Sequence, residues 1–244
     1  MGATGSDVVE DVEVVVIGVD AVDEALVAAW LPHLSAHRRA KIERQRHERE
    51  RRLRLGAGIA LDCALRRHGM SEAAMDYETD EDGAVRLLDA DGLNVSLSHS
   101  GDFAVCALGR CPLGVDVERV RHLEPGVVTR FFDPREDTAL RTLPAGSVHD
   151  DAVVRLWTLK ESVVKATHVG LETALRTYAF DLASPPRLLD RERGRGLWFA
   201  EGDPALTPGH RLSLCCTIDD PPDSEGEVVP VVCWTRYEAG PPRV

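Results

Sequence analysis

The sequence predicts an α+β fold of two similar halves, residues 1–112 and 113–244, and three observations carry that expectation. Apolar runs of strand length recur in both halves. Between them lie stretches in which apolar residues return every three or four positions among charges, the period of an amphipathic helix. The length of 244 residues suits one large domain or two compact halves of about 110 residues, each able to bury a core.

Taken in order, residues 12–19 form a continuous apolar run and read as a buried strand, and residues 23–31 as a short helix stopped by Pro32. Ser35 suits a helix N-cap. From 36 to 67, Ile42, Leu53, Ile59, Leu61 and Leu65 alternate with charge, so one long helix is expected, or two broken near Gly56 and Gly58, with Gly69 closing the element. Short strands follow at 85–88, 94–97, 103–108 and 113–117, separated by Asp-Gly and Ser-Gly turn signals. The second half repeats the mixture: helices at 125–132, 135–143 and 150–167, then strands at 177–182, 197–200, 211–218 and 228–237. The halves join near Arg110 to Leu113, and residues 221–227 and 240–244 read as loop.

Composition excludes several classes. Hydrophobic content of 43% with 29% charged residues is ordinary for a soluble protein, and no apolar run approaches the ~20 residues that span a bilayer. No charged-then-apolar leader precedes Val12, so a cytoplasmic protein with no membrane partner is expected. Residues 1–6 match the N-myristoylation pattern, but Asp7, Glu10 and Asp11 supply no basic second anchor, and chance explains the match. The six cysteines lack zinc or C-x-x-C spacing and read as reduced, mostly packing residues. A net charge of −12 argues against nucleic acid as partner, yet residues 38–54 carry nine Lys or Arg against Glu43, Glu48 and Glu50. An acidic chain thus keeps one strongly basic element.

Three segments carry candidate chemistry. In Gly114-Val115-Asp116-Val117-Glu118, strand periodicity turns Asp116 and Glu118 to one face, where they can share a cation, although an ordinary half-exposed strand has the same pattern. In Trp157-Thr158-Leu159-Lys160-Glu161-Ser162-Val163-Val164-Lys165, helical spacing puts Trp157, Glu161 and Lys165 in one stripe; a surface Glu-Lys pair is the alternative. Ser96-Leu97-Ser98-His99-Ser100-Gly101 sets a histidine among hydroxyls, fit to bind phosphate or act as a base, or simply a satisfied turn histidine.

In this order and spacing the motifs resemble the signatures of the Sfp-type 4′-phosphopantetheinyl transferases: a Ser-His-Ser turn, a G-(I/V)-D-(I/V)-E strand and W-x-x-K-E-(A/S)-x-x-K on a helix. Here they are Ser98-His99-Ser100, Gly114 to Glu118 and Trp157 to Lys165. Leu34-Ser35, leading into the arginine-rich stretch, resembles the family's N-terminal half, and the similarity runs over residues 34–171, more loosely to 218.

The resemblance implies a pseudo-twofold fold and an enzyme that moves the 4′-phosphopantetheine arm of coenzyme A to a serine of an acyl or peptidyl carrier protein. It implies Mg2+ dependence, release of 3′,5′-ADP, a monomer, and a setting in polyketide or nonribosomal peptide biosynthesis. Asp116, Glu118 and Glu161 look like the magnesium carboxylates, and Lys160 and Lys165 like the pair beside the pyrophosphate. Ser98 and His99 resemble residues that hold the adenosine end and its 3′-phosphate; Arg38, Lys41 and Arg52 fall where the family has basic contacts, with Arg49 or Arg51 as alternatives to Arg52. Glu161 is the expected catalytic base and Glu136 the second choice, with Lys165 stabilising transition-state charge. Where the family often has Gly-Lys-Pro, this chain has Gly83-Ala84-Val85-Arg86, so the lysine contact is lost or passes to Arg86. Ser96 stands where asparagine is common and His168 where glycine is. A noncatalytic coenzyme A or nucleotide binder, and an acidic scaffold whose basic helix meets an anionic partner, are the competing readings.

Overall fold

The computed structural model describes residues 11–79, 85–88, 90–169, 175–218 and 230–242. Residues 1–6 with their lipidation pattern, Gly83 and Ala84, and the loop at 221–227 lie outside these. The architecture is α+β, as the patterning predicts, with two main sheets.

The first sheet holds β1 (Asp11–Gly18), β4 (Asn94–Ser100), β5 (Phe103–Gly109) and β9 (Val231–Glu238) in the order β4-β5-β1-β9. β5 runs antiparallel to both neighbours, while β9 lies parallel to β1 with Asp11 opposite Val231. The last strand, which a division at 112/113 assigns to the second half, therefore completes the first sheet. The second sheet holds β6 (Leu113–Arg119), β7 (Leu197–Glu201) and β8 (His210–Thr217), antiparallel in the order β6-β8-β7. A small hairpin pairs β2 (Asp76–Thr79) with β3 (Val85–Leu88). The strand expected at 177–182 is reduced to one isolated bridge between Phe180 and Leu188.

Among the described residues the main α-helices are α1 (Glu24–Trp30), α2 (Ala36–Glu43), α3 (Glu48–Arg66), α4 (Pro125–Phe131), α5 (Pro134–Leu140) and α6 (Ser147–Thr167). Ser35 caps α2 as expected, its Oγ accepting from Arg38 N at 3.2 Å. The break in the basic helical segment falls at residues 44–47, not near Gly56 and Gly58. Those glycines sit buried inside α3, Gly56 against the first sheet and Gly58 against Arg38 of α2 and Leu34. A methyl on Gly56 would come within 2.6 Å of Val19 Cγ1 and 3.0 Å of Ala104 Cβ, so the residue serves close approach and not interruption. His168 takes the left-handed position that ends α6, with φ of 52°, which explains why glycine is common there.

Alternation along the strands builds four layers. Val15 and Ile17 of β1 face α3 residues Leu55, Ile59 and Leu61, while Val12, Val14 and Val16 face Val115 and Val117 of β6 and Leu212 and Leu214 of β8. On the far side of the second sheet, Cys215 meets Leu156, Leu159 and Val163 of α6. The order is α3, first sheet, second sheet, α6. Cys106, Cys111, Cys215 and Cys216 are buried, as packing residues should be, but Cys233, on the edge strand β9, is exposed. No described helix is long and apolar enough to cross a membrane.

Candidate active site

Gly114 decides how closely α6 approaches β6. A side chain there would strike Ser162 O, and come within 2.5 Å of Ala166 N and 2.7 Å of Lys165 Cβ, so only glycine lets the helix lie on the strand. Two residues along, Asp116 shares the α6 side of the sheet, since Val115 and Val117 turn to the inter-sheet core. The close contact brings Lys165 Nζ to 2.7 Å from Asp116 Oδ1 and 3.1 Å from Val115 O. It also brings Glu161 into the field of Asp116 and Glu118.

The electrostatics follow from that crowding. Burial, then Asp116 and Glu118, push the Glu161 carboxyl up to about 7 against the pull of Lys165. Glu118 is raised by burial and by Asp116, with Ser100 opposing. Asp116 is 4% exposed, and its Oδ2 is buried with no hydrogen-bond partner. Three half-buried or buried carboxylates repelling one another, one with an orphan oxygen, make a donor set suited to a hard divalent cation. Among the described residues they share one electrostatic field without forming a closed cage of three ligands.

Serines of β4 reach across to β6 at the seam between the sheets. Ser98 Oγ donates to Asp116 Oδ1 and Ser100 Oγ to Glu118 Oε2, both at 2.8 Å. Ser98, expected at the adenosine end, is thus bound to the carboxylate set. Ser96 and Ser100 escaped assignment in the sequence; their period-2 spacing was the available signal.

His99 turns the other way. Its imidazole is held below its usual range by burial first and then by Arg54, with Glu50 opposing and Lys165 adding to the shift. Lys41 is likewise lowered, by burial and by Arg38 and Arg54. Arg38, Lys41 and Arg54 therefore form one cationic group, and His99 lies in the fields of Arg54 and Lys165 as an imidazole whose protonation they disfavour. Arg38 is 4% exposed, pairs with Glu72 at 3.5 Å and leaves Nε and Nη2 without hydrogen bonds. The alternatives among the arginines are engaged elsewhere: Arg52 with Glu48, Arg51 with Glu24 and Arg49 with Asp102. Arg54, not Arg52, is the arginine of α3 that joins the group. Arg86 is exposed on β3, and with His168 it lines a separate cleft of about 780 Å³.

Lys160 and Glu136 do not join the site. Lys160 has no exposed surface and pairs with Glu136 Oε2 at 2.7 Å, its remaining donors going to Leu175 O and Tyr178 O. Glu136 also accepts from Asp133 N and Phe180 N, both at 2.8 Å, and closes the capping box of α5. Burial raises the Glu136 carboxyl and lowers the Lys160 ammonium, and the ion pair opposes both shifts. The helical turn that brings Glu161 toward β6 turns its neighbour Lys160 into the core, where Glu136 is buried with it.

The sequence model described as the 4′-phosphopantetheinyl transferase superfamily matches residues 112–212, from the start of β6 through α6 to β8. Over those residues the chain is similar to that superfamily. Among its relatives, the 4′-phosphopantetheinyl transferase Sfp of Bacillus subtilis (strain 168) is 24% identical over 199 residues, covering 80% of this chain and 87% of that protein. A second 4′-phosphopantetheinyl transferase of Bacillus subtilis is 27% identical over 150 residues, 61% of this chain and 66% of the relative. The human L-aminoadipate-semialdehyde dehydrogenase-phosphopantetheinyl transferase is 32% identical over 98 residues, 37% of this chain and 32% of its own. The family stretch coincides with the elements that assemble Asp116, Glu118, Glu161 and Lys165.

Proposed function

We propose that this protein transfers the 4′-phosphopantetheine arm of coenzyme A to a serine of an acyl or peptidyl carrier protein, converts the apo to the holo carrier, and depends on Mg2+. One observation carries the reading: the Gly114 contact joins a cluster of mutually repelling carboxylates to a lysine beside a half-buried basic group, an arrangement suited to a metal-bound polyphosphate.

Asp116, Glu118 and Glu161 would hold magnesium, whose contribution when bound is to offset the charge of the pyrophosphate. Arg38, Lys41, Arg54 and His99 bind the phosphates at the adenosine end, and Lys165 lies where charge grows on the transferred phosphoryl group. Glu161 accepts the proton of the carrier serine, directly or through water. The serine Oγ bonds to the phosphorus that bears the pantetheine arm, the phosphoanhydride bond breaks, and its electron pair leaves on 3′,5′-ADP, a phosphate that needs no general acid. The basic face of α2 and α3 offers an otherwise acidic chain, at −12, a patch toward an acidic carrier.

The test is to mix the protein with coenzyme A, Mg2+ and an apo carrier domain and weigh the carrier. A mass gain of one phosphopantetheine arm is expected, and no gain with any of several carriers overturns the reading.

A further inference from the structure

We infer that the serines of β4 are positioning residues that aim the carboxylates of the site across the seam between the sheets, Ser98 setting Asp116 and Ser100 setting Glu118. The role of the cation rests on the proposed function; the geometry does not. Ser96, Ser98 and Ser100 stand at alternate positions, so their hydroxyls emerge on one side of β4. Each accepts a backbone N–H of β6: Val115 N at 3.0 Å, Val117 N at 3.3 Å and Arg119 N at 3.2 Å, respectively.

A hydroxyl that accepts from the backbone still has its own proton to give. Ser98 gives it to Asp116 and Ser100 to Glu118, in both cases the residue just before the N–H it accepts. By the same register Ser96 faces position 114, where glycine offers no acceptor. The ladder therefore does two separable things. All three rungs tie the sheets together in place of backbone pairing, but only two orient a carboxylate.

A neutral donor suits that task. It occupies one oxygen of the carboxylate without cancelling the charge a cation needs. Asp116 shows the outcome: Oδ1 takes Ser98 and Lys165, and Oδ2 is left buried without a hydrogen bond.

The rungs supply their own control. With Mn2+ as the probe, bound to the full chain in the presence of coenzyme A and read by electron paramagnetic resonance, Ser98→Ala and Ser100→Ala are expected to weaken binding roughly 10- to 100-fold. Ser96→Ala loses a backbone bond but no carboxylate donor; it is expected to lower the melting temperature while leaving Mn2+ affinity within about twofold. Ser100→Thr keeps the hydroxyl and is expected to restore most of the affinity, which separates aiming from mere folding. Equal losses of Mn2+ affinity in all three alanine variants, or none in Ser98→Ala and Ser100→Ala, would overturn the inference. Failure of the transfer reading looks different: the unsubstituted chain would bind Mn2+, with Ser100→Ala weakened, yet add no mass to any apo carrier. An unsubstituted chain that binds no Mn2+ overturns the cation site and the aiming role together.

Discussion

Glu161 carries in one carboxyl the tension of the whole site. An unperturbed glutamate ionises near 4.5, and in the fold this one is pushed up to about 7. The folded, metal-free protein thus holds a proton that the unfolded chain gives up. The stability linked to this group is full below about 4.5 and drains away as pH rises through about 7, a change on the order of 3 kcal/mol. In EDTA the melting temperature is expected to fall between about pH 5 and pH 7.5, with a shallower fall in Glu161→Gln and the largest gain on adding Mg2+ at the alkaline end. A pH-independent melt of the unsubstituted chain in EDTA contradicts this. Lys160, one residue away, obeys the opposite logic. Lys160→Ala strands Glu136 as an unpaired buried carboxylate and is expected to cost about 3–5 kcal/mol in urea unfolding, with coenzyme A affinity of the folded protein unchanged in calorimetry. The sequence made the Asp116–Glu118 face legible through strand periodicity. It could not reveal the fate of Lys160, because a signature spacing names the residues on a helix without saying which turn inward.

At the scale of elements, the decisive event is α6 lying down on β6. Gly114→Ala sets a methyl against Ser162 O and Ala166 N, backbone atoms that move only if the helix does. Overpacking of this kind costs about 1–3 kcal/mol, and transfer rate is expected to fall further than stability because Glu161 and Lys165 move away from Asp116. Carrier labelling beside thermal melts reads both; a variant destabilised yet fully active would contradict the packing argument. α2 and α3 make a second case. Arg54→Ala is expected to raise the KM for coenzyme A about tenfold, the loss of one charge-assisted contact, whereas Arg52→Ala removes only the pairing with Glu48. The basic composition of this region was plain in the sequence, but the register was not. The turn at residues 44–47 resets the helical phase, and glycines that look like a break prove to be buried contact points, Gly56 against the sheet and Gly58 against Arg38. The serines of β4 hid their role for a related reason: period-2 spacing reveals a shared side, but the partner of that side is an edge of another sheet.

At the scale of the molecule, the mixed helix and sheet class followed from alternating and 3.6-residue patterns, whereas the path of the last strand did not. β9 pairs parallel to β1, and parallel pairing leaves no hairpin signal for a sequence to carry. Its removal from Val231 onward is expected to strip amide protection from β1 in hydrogen-exchange measurements and to destabilise the first sheet, and unchanged protection of β1 would contradict that pairing as a stabilising element. The pairing has a temporal side. As the chain leaves the ribosome, Asp11–Gly18, a mostly buried strand, emerges long before its neighbour Val231–Glu238. Until then one edge of β1 stays open to any passing strand. Nascent chains stalled before Val231 should therefore be the form most prone to aggregate and most dependent on chaperones.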